Sequence, residues 1–246
     1  MVDAIFGDPR LAAVYDALDP DRSDLDVYVR LAVDELGASS VLDVGCGTGC
    51  FAVLLAARGI DVVGVDPAAA SLDVARAKPG ADGVRWLLGD ATTLPPDLQV
   101  DAAFMTGNVA QVFVTDEAWA ATLRGIHAAL RPGGTLVFET RDPARRAWEG
   151  WTKDRTHRTA GAVAAWEQVT EVDGALVTFT TTTVLATGET VLSTSTLRFR
   201  DRSELERSLD EAGYDVLDVR DAPDRPGREL VFLAVRRTTP ACSRTS

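Results

Sequence analysis

The sequence predicts an α/β protein in which a parallel sheet is covered by helices on both faces and an antiparallel meander is inserted late in the chain. Three observations lead there. Between residues 38 and 140, short and mostly apolar strands alternate with helical segments, the pattern of strands buried on both faces. The first strand runs into a dense glycine run, Gly45-Cys46-Gly47-Thr48-Gly49, directly before a helix. After residue 160 the periodicity becomes two, as in Leu176-Val177-Thr178-Phe179-Thr180 and Leu197-Arg198-Phe199-Arg200.

Each element follows from a local signal. Residues 8–18 and 23–37 read as helices, with Pro20 in the break between them. Strand 41–44 ends at the glycine run, and helix 50–58 ends at Gly59, a left-handed cap. Strand 62–65 stops at Asp66-Pro67 and is followed by helix 68–78. Strands 84–88 and 100–105 come next. Helix 116–130 carries Trp119, Leu123, Ile126 and Leu130 on one stripe. Arg131-Pro132-Gly133-Gly134 turns the chain into strand 135–139. Segments 162–172, 175–186 and 189–200 form the meander, with turns at Asp173-Gly174 and Thr187-Gly188. Helix 203–212 stops at Gly213, strands 214–220 and 229–235 follow, and the polar tail frays.

Composition narrows the function. The chain has 246 residues, 46% hydrophobic and 25% charged, enough for one sizeable core without a disulfide or metal staple. A net charge of -12 repels phosphate backbones and anionic lipid, which argues against a nucleic-acid or membrane-surface binder. The apolar runs, such as 51–57, are too short to span a bilayer. Cys46, Cys50 and Cys242 form neither a disulfide framework nor a zinc site and read as reduced thiols. The opening MVDAIFGDPR lacks the basic and apolar stretches of a secretory leader, so a cytoplasmic protein is expected.

The chemistry is concentrated at strand ends. The run from Asp43 to Gly49 lets backbone approach a ligand at a helix N-terminus. It is not the dinucleotide fingerprint, since the third glycine comes one residue early, and it lacks the Gly-Lys-Ser/Thr of a phosphate loop. A structural tight turn is the other reading of this run. Asp66, seventeen residues after Gly49, stands where an acid grips a ribose diol, and Asp90 where a carboxylate can accept from an adenine amino group. Taken singly, either acid is a cap or turn residue. Together the three features converge on the crevice outside the carboxyl edge of the sheet, where open α/β sheets bind ligands.

These residues resemble the class I S-adenosylmethionine-dependent methyltransferases. VLDVGCGTG (41–49) resembles their first motif, Asp66 the ribose-binding acid, and GDA (89–91) the adenine-binding motif. DAAFMTGNV (101–109) is similar to the fourth motif, beside the reactive methyl, and LRPGGTLVFET (130–140) to the helix-turn-strand signature. The resemblance implies a Rossmann-like, doubly wound sheet of seven strands, mostly parallel, with the last antiparallel. It also implies S-adenosylmethionine as cofactor, S-adenosylhomocysteine as product and no metal. Asp43, Gly45 and Gly47 would then flank the methionine part, Asp66 the ribose, and Asp90 with Ala91 the adenine, with Cys46, Pro67 and Thr106 as further cofactor-binding residues. Asn108 would lie near the methyl, and Tyr15 and Tyr28 on the N-terminal helices would cover the cofactor, although packing also explains the tyrosines.

The resemblance divides the chain into N-terminal cap helices (1–37), a cofactor-binding core (38–145 and 201–236), an inserted β lid (146–200) and a polar tail (237–246). The Thr-rich strands of the insertion suit either a lid or a dimer surface, so monomer and homodimer both remain open. Two histidines and one acid compete as general base. His127 beside the apolar stripe reads as structural or surface; His157 feeds the insertion and either reaches the pocket or, the favoured reading, sits on a solvated loop; Glu139 follows the fifth strand and faces either the pocket or a loop. Arg141, Arg145, Arg146, Arg155 and Arg158, with Trp148 and Trp151, form a basic and aromatic patch. It reads either as recognition of a carboxylate or phosphate on a flat acceptor or as a solvated surface balancing nearby acids.

The expected function is therefore methyl transfer to a nitrogen or oxygen of a small-molecule acceptor, with His157, Glu139 and Asn108 as the catalytic candidates. The alternatives are methylation of a protein side chain or N-terminus and a non-catalytic cofactor-binding module. Nucleic-acid methylation is disfavoured by the charge and by the lack of an Asn/Asp-Pro-Pro-aromatic motif after the fourth strand.

Overall fold

The structure, a computed structural model, describes residues 2–238; Cys242 and most of the expected polar tail lie outside the described residues. Seven strands form the central sheet: β1 (Ser40–Val44), β2 (Asp61–Asp66), β3 (Val84–Leu88), β4 (Val100–Met105), β5 (Leu130–Arg141), β10 (Tyr214–Asp221) and β11 (Glu229–Arg236). Their order is β10-β11-β5-β4-β1-β2-β3. β11 runs antiparallel between β5 and β10, and the pairs from β5 across to β3 are parallel, as expected. Chain order reverses between β1 and β4, so the carboxyl ends of these two strands open a crevice at a topological switch point.

Alternation of side chains sends successive residues of β5 to opposite faces. Leu136 and Phe138 join Trp119, Leu123 and Ile126 of α6 (Asp116–Ala129) and Leu205 and Leu209 of α8 (Arg202–Glu211). Val137 points the other way, into a cluster with Tyr28, Phe51 and Leu55. That face is covered by α3 (Asp26–Arg30) and α4 (Cys50–Ala56). Thr115 caps α6 by accepting from the Ala118 amide, and Asp201 with Glu204 forms a capping box on α8.

The expected helix over 23–37 is interrupted. A 3-10 turn at Ser23–Leu25 leads into α3, which widens into a π turn at Leu31–Glu35 before Gly37 at φ 57° ends it. The wide turn is closed by the Leu36 amide donating to the Leu31 carbonyl at 2.9 Å. The strand placed at 135–139 also starts earlier, because Leu130 already pairs with Val100.

A second, antiparallel sheet has the order β6-β7-β8-β9: β6 (Arg158–Ala160), β7 (Val163–Asp173), β8 (Leu176–Val184) and β9 (Thr190–Arg198). The meander was expected with three strands; the three-residue β6 is the addition. Its neighbours are the first helices, α1 (Ala4–Gly7) and α2 (Pro9–Leu18). Leu18 packs with Val163 and Ala165, and the Ile5 amide donates to Ser193 Oγ at 2.8 Å. Among the described residues no helix is long and apolar enough to cross a membrane, and no group of three or more His, Cys, Asp or Glu is placed to hold a metal.

Candidate active site

The glycine loop leaves β1 with Gly45, Gly47 and Gly49 at φ 70°, 53° and 80°, the left-handed region that side chains avoid. Two of them are also closed by packing. A Cβ at Gly45 would lie 2.7 Å from Val109 Cγ1, and one at Gly49 would lie 2.5 Å from the Trp86 ring. Gly47 has nothing within 4 Å at that position, so the crest of the loop faces open space.

Two buried acids underlie the loop. Asp66 accepts from the Gly47 amide at 2.8 Å and from the Ala68 amide at 2.7 Å, which ties the end of β2 to the loop and to the start of α5 (Ala69–Arg76). A carboxylate has about four lone-pair sites, so Asp66 keeps acceptor capacity for a further donor. Asp43 Oδ2 has no partner although it is buried. Burial, with the charge of Asp66 as a lesser cause, pushes the Asp43 carboxyl up to about 7. Burial likewise raises the Cys46 thiol. An orphaned carboxylate beneath an open glycine crest fits a ligand that carries a cationic group, as the methionine part of S-adenosylmethionine does.

The remaining expected cofactor residues lie at neighbouring strand ends. Pro67 is exposed before α5, and Asp90 is exposed after β3, where it accepts from the Thr92 amide at 2.8 Å and from the Thr92 hydroxyl. Ala91 is buried against α6, its carbonyl so close that a Cβ at Gly125 would lie 2.0 Å from it. Thr106 is half-buried after β4. Asn108 is fully buried at φ 62°, and its Oδ1 has no partner. Tyr15 lies on α2. It packs against Phe6, with ring centroids 5.9 Å apart, and its charged neighbours include Arg158 and Glu167 on the second sheet.

Glu139, Asn108 and Tyr28 do come together. Glu139 accepts from the Tyr28 hydroxyl, from the Gly107 amide at 2.5 Å, from the Asn108 amide at 3.2 Å and from Arg225 Nη2 at 3.3 Å. Four donors fill the lone pairs of the carboxylate, which suits holding the 107–108 loop better than removing a proton. Burial and the Glu139 charge raise the Tyr28 phenol, so it stays a neutral donor. His157 lies elsewhere. It is exposed, stacked 6.2 Å from the Trp166 ring on β7, and the structure does not bring it to the Glu139 group. His127 packs edge-on against Tyr214 at 5.2 Å, the structural role expected of it.

Two members of the Glu139 group escape the sequence reading. Glu229 accepts from Asn108 Nδ2 at 3.2 Å, and Arg225 bridges Glu229 at 2.9 Å and Glu139. The signal available was the charged run Asp224-Arg225-Pro226-Gly227-Arg228-Glu229 immediately before an apolar strand. Glu229 then stands opposite Arg141 in the β5–β11 register. Arg141 donates to Gln111 Oε1 at 2.8 Å and lies over the Trp151 ring at 5.3 Å.

Residues 41–134 match the model of a methyltransferase domain. The cypemycin N-terminal methyltransferase of a Streptomyces species is 38% identical over 109 residues, 44% of this chain and 44% of that one. The chain spans about half or less of the length of the curated relatives it matches. Among solved structures, the CcbJ methyltransferase of Streptomyces caelestis superposes with a TM-score of 0.77 at 23% identity, over 95% of this chain and 98% of that one. The sugar N-methyltransferase KedS8 of Streptoalloteichus gives 0.72 at 20% identity, over 92% of each chain. At such identities the likeness is one of fold. Residues 41–134 match a methyltransferase domain, and the chain has the fold of these methyltransferases of known structure.

Proposed function

We propose that this protein transfers a methyl group from S-adenosylmethionine to a nitrogen or oxygen of a small-molecule acceptor. The carrying observation is the open glycine crest above the unpartnered, buried Asp43 carboxylate, next to Asp66, inside the matched domain. When bound, S-adenosylmethionine supplies a sulfonium methyl: the acceptor lone pair bonds to its carbon, the S–C bond breaks with its electrons kept by sulfur, and S-adenosylhomocysteine remains.

The chain's own residues then have modest tasks. Asp43 and the loop amides hold the methionine part, Asp66 the ribose and the Asp90-Ala91 segment the adenine. Asn108 lines the reacting end, and Glu139 fixes its loop through two backbone hydrogen bonds. Holding nucleophile and methyl carbon in line supplies roughly 7–11 kcal/mol of the barrier reduction. With Glu139 saturated and His157 exposed, the reading favours an amine or an already ionised oxygen, which needs no strong base. The sugar N-methyltransferase among the structural neighbours agrees with a small-molecule amine. The N-terminal methyltransferase among the relatives supports a second reading, a polypeptide amine as acceptor.

The test is incubation with methyl-labelled S-adenosylmethionine and a bacterial lysate, counting label in small-molecule, protein and nucleic-acid fractions. Label is expected in the small-molecule pool and lost in Asp66→Ala. Label confined to protein would replace the first reading by the second.

A further inference from the structure

A cavity of about 790 Å³ is lined by the segment after β5, by the loop before β11 and by Glu229, the acceptor of the Asn108 side chain. Six arginines line it (141, 145, 146, 155, 225 and 228), against two glutamates, Glu149 and Glu229. Each acid has an arginine partner: Glu149 pairs with Arg146 at 3.1 Å and Glu229 Oε1 with Arg225 at 2.9 Å, while the buried Glu229 Oε2 has no hydrogen-bond partner. Among the described residues no carboxylate lies within ion-pair distance of Arg141, Arg155 or Arg228. In a chain of net charge -12, three unpaired guanidinium groups around one cavity are not a balanced surface.

One wall holds Arg141, while Arg155 and Arg228 are exposed at the rim. Trp151 packs edge-on against Phe179 at 4.8 Å and is tilted against Phe199 at 6.1 Å, and Arg141 lies on its ring. The Gln111 oxygen fixes one nitrogen of Arg141 and leaves its other donors free. Burial lowers the Arg141 pKa, an effect that the charges of Glu229 and Glu139 offset only in part. The volume suits a ligand of some size and exceeds what one small ion needs.

We propose that this cavity is the acceptor site and that the acceptor is an acid, a small molecule whose carboxylate or phosphate group is held by Arg141, Arg155 and Arg228. The proposal rests on the methyl-transfer reading, because Glu229 joins the cavity to Asn108 and hence to the reacting end. Guanidinium groups match both anions with paired N–H donors, and Trp151 offers a flat wall for the rest of the molecule.

Calorimetry separates the two readings. S-adenosylhomocysteine is titrated first; failure to bind counts against methyl transfer. Benzoate, phenyl phosphate and the uncharged benzamide are then titrated into the protein at constant ionic strength. The acids should bind saturably with one site, and benzamide at least about tenfold more weakly. Arg155→Gln and Arg228→Gln should each weaken the acids about tenfold, the loss of one charge-assisted contact, without changing S-adenosylhomocysteine affinity. Arg58→Gln, remote from the cavity, should change neither. Stronger binding of benzoate or of phenyl phosphate tells which acid is preferred. Equal binding of acids and benzamide, no acid binding, or equal losses in Arg155→Gln and Arg58→Gln would each overturn the proposal.

Discussion

A carboxyl buried at the end of β1 with one oxygen unpartnered gives the ligand-free protein a distinctive pH response. Asp43 titrates near about 7 in the fold, against about 3.9 in an unfolded chain. A raised carboxyl pKa favours the protonated fold, so its contribution to stability is complete below the unfolded value and is lost as pH climbs to about 7. His127, held low by burial, acts in the opposite sense, its contribution being lost as pH falls through the histidine range. The urea midpoint of the ligand-free protein should therefore fall between about pH 4 and 7 through Asp43, with Asp66 and Glu229, also raised by burial, acting in the same sense. Asp43→Asn should remove its share of that fall while leaving the Asp66, Glu229 and His127 contributions. An unchanged profile in Asp43→Asn would show that the carboxyl is ionised in the fold. At this scale the sequence identified the motif residues but not their partners. Asp43 could be named from VLDVGCGTG, whereas its orphaned oxygen depends on what packs around β1. Glu139 could be placed after the fifth strand, but its saturation depends on Arg225, 86 positions later.

The N-terminal helices are joined to the glycine loop by side chains that no motif announces. Asp16 on α2 accepts from the Thr48 hydroxyl at 2.6 Å and from Lys78, whose ammonium also donates to the Thr48 carbonyl at 2.5 Å. This latch ties α2, the loop and the turn after α5. Asp16→Asn should cost about 1–3 kcal/mol, since it leaves a half-buried ammonium with one fewer anionic partner. Amide exchange should rise across 9–18 and 45–49 while β4 and β5 stay protected. A variant that loses stability with no local change in exchange would show that α2 and the loop unfold only with the whole domain. Elements bounded by strong punctuation were the legible ones: strands 84–88 and 100–105 were read to the residue. The short helical turns between residues 143 and 156 were not, because they carry no period. Trp148 and Trp151 hold them against Phe199 and Phe179, contacts some 30 to 50 positions away.

Across the whole molecule, the crevice at the strand ends, proposed for the cofactor, and the arginine cavity differ in how they are encoded. The crevice gathers consecutive strand ends, β1, β2, β3 and β4, so its residues follow one another in the chain and could be read in order. The cavity joins the end of β5 to the loop before β11 across the whole β6–β9 insertion, and its composition becomes visible only when the antiparallel β11 places Glu229 beside Arg141. A ligand in the crevice should therefore clamp the centre of the sheet and leave the cavity side comparatively independent. Binding to the fold alone stabilises it by about 2.7 kcal/mol at a ligand concentration about a hundredfold above Kd. For a chain of this size each kcal/mol raises Tm by about 2–4 °C. S-adenosylhomocysteine at that excess should then raise Tm by about 5–11 °C. Asp66→Ala, which removes the acceptor shared by the Gly47 and Ala68 amides, should abolish most of that shift, whereas Arg155→Gln should preserve it. If Arg155→Gln lost the shift as fully as Asp66→Ala, the two regions would be one cooperative ligand site, and the assignment of cofactor to one and acceptor to the other would fail.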